Sequence, residues 1–209
     1  MGTRGAIGFR LDGVDKVAYN HFDSYPSGLG ADVLTELCGK PNWEKMKEQV
    51  RNLAFLNQDV PPTEAQIEAC RPYTDLSVSN QSTDDWYCLL RKAQGSLTAY
   101  LAVGVIPDNQ GFLLDSLFCE YAYIVNLDDM TLEFYRGFNK TAGGAGRYAA
   151  LQEPPRKFPD GTEQEREYYG VVLVDTIPLA DLPKTKRCKT FVNKTVKKWE
   201  KLTNEDEDL

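Results

Sequence analysis

The sequence predicts an α+β domain: a mostly antiparallel sheet built from two hairpins and a further central strand, covered by several helices. Three observations lead there. Near the N-terminus, two β-forming segments flank an Asp-Gly pair in "RGAIGFRLDGVDKVAYNHFD". A block of capped helical patterns follows, and strand-like segments then return in "CEYAYIVNL", "TLEFYRG" and "YYGVVLVDTI". Helices grouped between antiparallel pairs mark α+β, because a doubly wound parallel sheet would alternate strand and helix.

In the first hairpin, residues 4–10 and 16–23 read as strands, with Ile7 and Phe9 on one face and Asp12-Gly13 as the turn. Pro26, Gly28 and Gly30 end the second strand. Leu29, Val33, Leu34 and Leu37 then recur at helical spacing until Gly39 and Pro41 stop the helix. Asn42 caps a second helix with the stripe Trp43, Met46, Val50, Leu53 and Ala54. Thr63 and Gln66 form a capping box for a third helix that must end before Pro72. Ser82 and Asp85 open a helix carrying Trp86, Leu89, Leu90 and Ala93. Gly95 interrupts it, and "SLTAYLAVG" makes one more short helix ending at Gly104.

Asp128, Asp129 and Met130 form the turn of the second hairpin. Residues 138–167 contain "TAGGAGR" and three prolines with no periodic apolar pattern, so a long mobile loop or lid is expected there. The nearly continuous apolar run of "YYGVVLVDTI" predicts a central, buried strand. A last helix sets Phe191, Val192, Thr195, Val196, Trp199 and Leu202 on one side and Lys189, Lys194, Lys197 and Lys198 on the others. Residues 203–209 form an acidic tail. No repeat or linker divides the chain, so residues 1–209 read as one domain.

A chain of 209 residues, 42% of them hydrophobic, can bury a core without disulfides or metal. Its net charge of −7 argues against a general nucleic-acid binder. The five cysteines, Cys38, Cys70, Cys88, Cys119 and Cys188, are scattered and never spaced as CxxC, so free thiols are expected. A single histidine cannot complete a two-histidine zinc set; neither a metal nor another cofactor is expected. The N-terminus has no apolar leader, and no run approaches the roughly 20 apolar residues that span a bilayer. The expectation is a soluble cytoplasmic protein whose partner is an unidentified small molecule or protein.

The lone histidine lies in "YNHFDSYPSGLG", residues 19–30. If the strand runs on to Asp23, alternation puts Tyr19, His21 and Asp23 on one face, and Tyr25 joins them if it runs further. A carboxylate beside an imidazole orients the ring and favours its charged form, an arrangement suited to acid–base catalysis near neutral pH. His21, Asp23 and Tyr25 are therefore the candidate catalytic set. Ser27, Gly28 and Gly30 would open a helix whose free N–H groups bind an anion. The plainer reading is also available: Tyr25-Pro26 ends a strand, Asp23 and Ser24 form a turn, and His21 satisfies a carbonyl. No nucleophile motif lies near.

Three segments, "GTRGAIGFR", "YNHFDSYPSGLG" and "EYAYIVNLDDMTLEFYRG", resemble a group of microbial and viral proteins. That group begins with a T-R hairpin, carries H-F/Y-D-x-Y-P soon after, and has no settled activity. The resemblance covers about a quarter of the chain. It implies a shared fold and draws attention to His21, Asp23, Tyr25 and Pro26, but transfers no reaction.

Two functions thus stand side by side. One is a small hydrolase or transferase acting on an anionic substrate at His21, Asp23 and Tyr25. The other is a non-catalytic protein- or ligand-binding module using exposed aromatics and the basic C-terminal helix.

Overall fold

In the computed structural model, which describes residues 2–39, 41–183 and 187–204, the N-terminal hairpin forms as the Asp-Gly signal dictates. Strand β1 (Gly5–Leu11) turns at Asp12 and Gly13, both at positive φ (53° and 77°), into antiparallel β2 (Val14–Asn20). Two consecutive left-handed residues match the right-handed twist of the flanking strands, and Asp-Gly tolerates them at little cost.

The helical block follows. A tight turn at Pro26–Gly30 feeds α1 (Ala31–Leu37), and α2 (Trp43–Asn52) starts where the Asn42 side chain accepts from the Lys45 N–H. A two-residue strand β3 (Ala54–Phe55) precedes α3 (Glu64–Cys70), which has the full Thr63–Gln66 capping box. Helix α4 (Trp86–Leu89) lasts a single turn, so the stripe expected through Ala93 is not one helix. Helix α5 (Leu97–Val103) starts at Ser96 and ends on left-handed Gly104, and β4 (Val105–Ile106) pairs with β3 in parallel.

The second hairpin is β5 (Tyr121–Asn126) and β6 (Thr131–Arg136), followed by the short pair β7 (Arg156–Lys157) and β8 (Glu163–Gln164). Strand β9 (Val172–Pro178) and helix α6 (Cys188–Asn204) complete the fold. No helix among the described residues is long and apolar enough to cross a membrane. Residues 205–209 of the acidic tail and 184–186 of the basic stretch lie outside the described residues.

The sheet order is β2-β1-β5-β6-β9. Two corrections follow. Strands β1 and β5 run parallel, joined across the helical block, so the sheet is mixed although its other three pairings are antiparallel. The strand of "YYGVVLVDTI" lies at the sheet edge, not its centre. Its apolar run reflects cover on both faces: Val174 packs into the helix-side core and Leu173 into the opposite one. A continuous apolar run reports two covered faces, and an edge strand can have both.

On the helix side, Ile7, Phe9, Tyr123, Val125, Leu132 and Phe134 are fully buried, with Trp199 of α6 stacked 4.6 Å from Phe134. The opposite face carries Ala6, Val17, Ala122, Ile124 and Tyr135 in a smaller core. The glycine-rich segment packs here. Gly144 and Gly146 take φ of 98° and 95°, and a Cβ on Gly146 would stand 2.7 Å from Leu173 Cβ. That close approach delivers Arg147 onto the sheet. Its guanidinium meets Asp15 (3.0 Å), Glu133 (2.6 Å) and the hydroxyls of Tyr135 (2.8 Å) and Tyr148 (3.0 Å). Arg10 completes the charge balance on Asp15 at 2.9 Å. Within the segment expected to be a mobile loop, residues 139–149 are thus tied to the sheet, and Asn139 bonds the carbonyls of Ala149 and Gly170.

Candidate functional site

The edge strand β2 ends at Asn20, three residues short of the expected 23. The chain then bends, and Asp23 takes a left-handed φ of 51°. Alternation therefore stops before it can align His21 with Asp23. What holds the bend is Asn20, whose amide donates to the Phe22 carbonyl and to Ser24 Oγ. Ser24 is fully buried; its N–H reaches the Thr3 carbonyl and its own carbonyl accepts from Tyr123 Oη at 3.0 Å. A Cβ on Gly5 would lie 2.6 Å from Ser24 Cβ, so the hairpin and the bend interlock. Asn20, Ser24, Pro26, Leu29 and Gly30 turn inward, leaving Phe22, Asp23, Tyr25 and Ser27 exposed.

His21 is half-buried and pairs with Tyr19: Nδ1 lies 2.7 Å from the phenol oxygen, and the ring stands edge-on to Phe22. No hydrogen bond or ion pair among the described residues joins His21 to Asp23. Burial raises the Tyr19 pKa above its ordinary value, with the Arg4 charge opposing and Tyr87 adding. The phenol is therefore protonated at neutral pH. It either donates to Nδ1 or accepts from Nδ1–H, according to the ring's tautomer.

The expected anion site meets a different fate. Within the tight turn, Gly28 N–H donates to the Tyr25 carbonyl (3.0 Å), Leu29 N–H to Asp23 (2.8 Å) and Gly30 N–H to Tyr25 (3.4 Å). These amides are committed to the chain itself.

Two open cavities flank this corner. One, about 690 Å³, is lined by Asp23, Tyr25, Ser27 and Gly28, together with Asn20, Phe22 and Arg91. The other, about 620 Å³, lies along the β2 edge and is faced by Tyr19, Trp86, Tyr87 and Tyr100. Gln94 lines both. The structure thus brings Asp23, Tyr25, Ser27 and Gly28 to one cavity, while His21 and Gly30 are not among its lining residues.

The wall between the cavities was not anticipated. Arg91 sits over Phe22 (5.3 Å to the ring centroid) and Tyr87 (5.8 Å), and donates to Gln94 at 3.0 Å. Among the described residues no carboxylate pairs with it. The only sequence signal is the four-residue spacing of Tyr87 and Arg91, which meets on one side only if the helix continues that far.

Carboxylates outnumber cations in both linings. Asp23, Asp32 and Glu36 face the first cavity against Arg91, and Asp84 and Asp85 face the second with no lysine, arginine or histidine. Glu36 is already engaged, accepting from the Leu97 N–H at 2.9 Å at the start of α5.

Two of the thiols are held in their unreactive form. Cys70, Cys88 and Cys119 are buried and Cys38 and Cys188 half-buried. Burial, with a hydrogen bond to Cys188, pushes the Cys38 thiol up to about 12, and burial pushes Cys70 to about 11, so both are protonated and unreactive. Among the described residues no cluster of three or more histidine, cysteine, aspartate or glutamate side chains could hold a metal ion. On α6, Lys194 and Lys197 are exposed, but Lys198 is held by Asp175 at 2.7 Å. No family model, curated protein or solved structure matches the chain.

Proposed function

We propose that the protein binds a small neutral or cationic molecule in the paired cavities at the end of β2. The observation that carries this reading is the junction at Gln94, where two openings of about 620 and 690 Å³ meet at a wall of exposed aromatics and Arg91. Each has the size of an ordinary ligand site, with apolar faces and a few directional polar groups. The charge of the ligand follows from the linings. A surplus of carboxylates repels an anion, and the Gly28 and Gly30 amides expected to hold one bond the Tyr25 carbonyl instead. The ligand proposed here therefore differs in charge from the anionic substrate expected from the sequence.

A second reading rests on the Tyr19–His21 bond of 2.7 Å. A protonated phenol beside an imidazole is a proton-sharing pair, and Tyr19 itself lines the smaller cavity. His21 would then act on the bound molecule as acid or base, with Tyr19 rather than Asp23 orienting it.

Thermal unfolding in the presence of a broad metabolite library tests both. A ligand at ten times its Kd stabilises by about 1.4 kcal/mol and raises Tm by about 3–5 °C in a chain of this size. Gln94→Ala is expected to abolish the shift and His21→Ala to keep it. Hits that survive Gln94→Ala overturn the cavity reading. Turnover of a hit by the wild type, lost in His21→Ala with binding intact, establishes the second reading.

A further inference from the structure

We infer that the smaller cavity takes a neutral saccharide of two or more rings, its chain continuing past Gln94 toward the second cavity. This rests on the ligand-binding reading above and gives it a chemical class.

The inference is built from what the cavity offers. Four of its lining residues are aromatic, Tyr19, Trp86, Tyr87 and Tyr100, beside Leu56, Leu90 and Pro107; Tyr87 is the exposed ring, and the others show only part of their surface. The electron-rich face of an aromatic ring attracts polarised C–H groups, such as the axial hydrogens of a pyranose. Around these rings stand four carboxamides, Gln58, Asn80, Gln94 and Asn109. Gln94 Oε1 accepts from Arg91 and Asn109 Oδ1 from the Tyr19 N–H, while their amino groups engage no protein group among the described residues. The side chains of Gln58 and Asn80 have no protein partner among the described residues either. A carboxamide donates and accepts, as a hydroxyl does, so the rim matches a ligand rich in hydroxyls.

The carboxylates narrow the class. Asp84 can only accept, so it favours a ligand presenting O–H donors, and with Asp85 it repels phosphates and the bare acceptor atoms of a nucleobase. The Asp85 carboxyl is held below its usual value, chiefly by the Ser79 hydroxyl, and caps α4 through the Tyr87 N–H. It also accepts from the Asn80 N–H, so its oxygens are used within the chain and its part in the cavity is its negative charge. Finally, a second cavity lies beside the first with Gln94 lining both, so a ligand of more than one ring filling the first has space to extend past that side chain.

The test uses the full chain with maltotriose, cellotriose and tri-N-acetylchitotriose, against adenosine and glucose 6-phosphate, followed by protein NMR and calorimetry up to ~10 mM ligand, where even a weak complex is populated. At least one trisaccharide is expected to bind, with Kd raised about tenfold by Tyr87→Ala and by Asn80→Ala, the loss of one good contact. Glucose 6-phosphate is expected not to bind. Failure of all three trisaccharides overturns the saccharide inference. If adenosine binds instead, and does so with sensitivity to Gln94→Ala, the inference falls while the binding site stands. If neither these probes nor any library member binds, both readings fall. Unchanged far-UV circular dichroism and unfolding midpoints in the two variants separate a lost contact from a lost fold; should Tyr87→Ala be unstable, Tyr87→Leu removes the ring face and keeps the volume.

Discussion

The two arginines, Arg147 and Arg91, sit on opposite sides of the same problem. Arg147 lies on the sheet face away from the helices and is paired with Asp15 and Glu133 and bonded to two tyrosine hydroxyls. Arg91 stands between two cavities and has a carboxamide and two ring faces. Both regions are dense in polar and aromatic residues. The first is closed: every strong donor meets an acceptor, and burial of its tyrosines raises their pKa values so that they remain neutral donors. The second is open, with amino groups and ring faces left for something else. Polar density alone therefore does not mark a site. A site is recognised by what remains unsatisfied next to a space.

The contrast can be broken by substitution, and the largest effect belongs to the closed cluster. Arg147→Met takes from Glu133, whose side chain is 7% exposed, its cationic partner and leaves Asp15, 10% exposed, with Arg10 alone. Stranding a buried carboxylate costs about 3 kcal/mol and lowers Tm by roughly 10 °C, measured by urea and thermal unfolding. A loss below about 1 kcal/mol would show that the cluster is solvated and that closure is not its distinguishing property.

An intermediate effect sharpens the comparison through a third carboxylate. Asp128, on the β5–β6 turn, accepts from the N–H groups of Asp12 (2.7 Å) and Gly13 (3.0 Å) on the adjacent β1–β2 turn. The Gly13 bond is the first cause of a pKa lowered from 3.8. A depressed folded pKa means that the stabilisation is present above the ordinary value and disappears as pH falls through 3.8 toward the folded value. Asp128→Asn is expected to cost about 1 kcal/mol at pH 7, small because solvent screens a partly exposed group, and to flatten the acid limb of the stability profile. A steeper acid limb in the variant would contradict the assignment.

The smallest structural effect is expected where the functional effect is largest. Arg91→Ala removes two cation–π contacts and a hydrogen bond at a half-exposed position, and is expected to change unfolding free energy by less than about 1 kcal/mol. Ligand binding at the junction should nonetheless weaken. A stability loss as large as that of Arg147→Met would place Arg91 in the scaffold and erase the distinction.

How much of this was legible without coordinates depends on the range of the interaction. The Asp12-Gly13 turn, the Asn42 cap, the Thr63–Gln66 box and the end of a short helix at Gly104 are each local. Their physics lies within a few residues, and they formed as read. The apolar stripe of Leu29, Val33, Leu34 and Leu37 is likewise buried as its spacing requires. The site was legible only as a neighbourhood. "YNHFDSYPSGLG" does border a cavity, but His21 chose Tyr19, because one left-handed residue at Asp23 ended the alternation. The wall opposite came from Tyr87, Arg91 and Gln94, more than 60 positions along the chain, and no local pattern links those to Phe22.

By itself, then, the sequence determined the α+β class, the main turns and caps, and the apolar side of the first hairpin and of the helix at Leu29–Leu37, since these follow from backbone sterics and periodicity within one element; the stripe read through Ala54 instead breaks at Asn52. Only the tertiary structure decided that β1 and β5 run parallel, that β9 is an edge, that Arg147 is spent on the sheet and that Arg91 is not. Those outcomes depend on which surfaces meet across long stretches of chain, and a pattern of faces names no partner until the chain is closed upon itself.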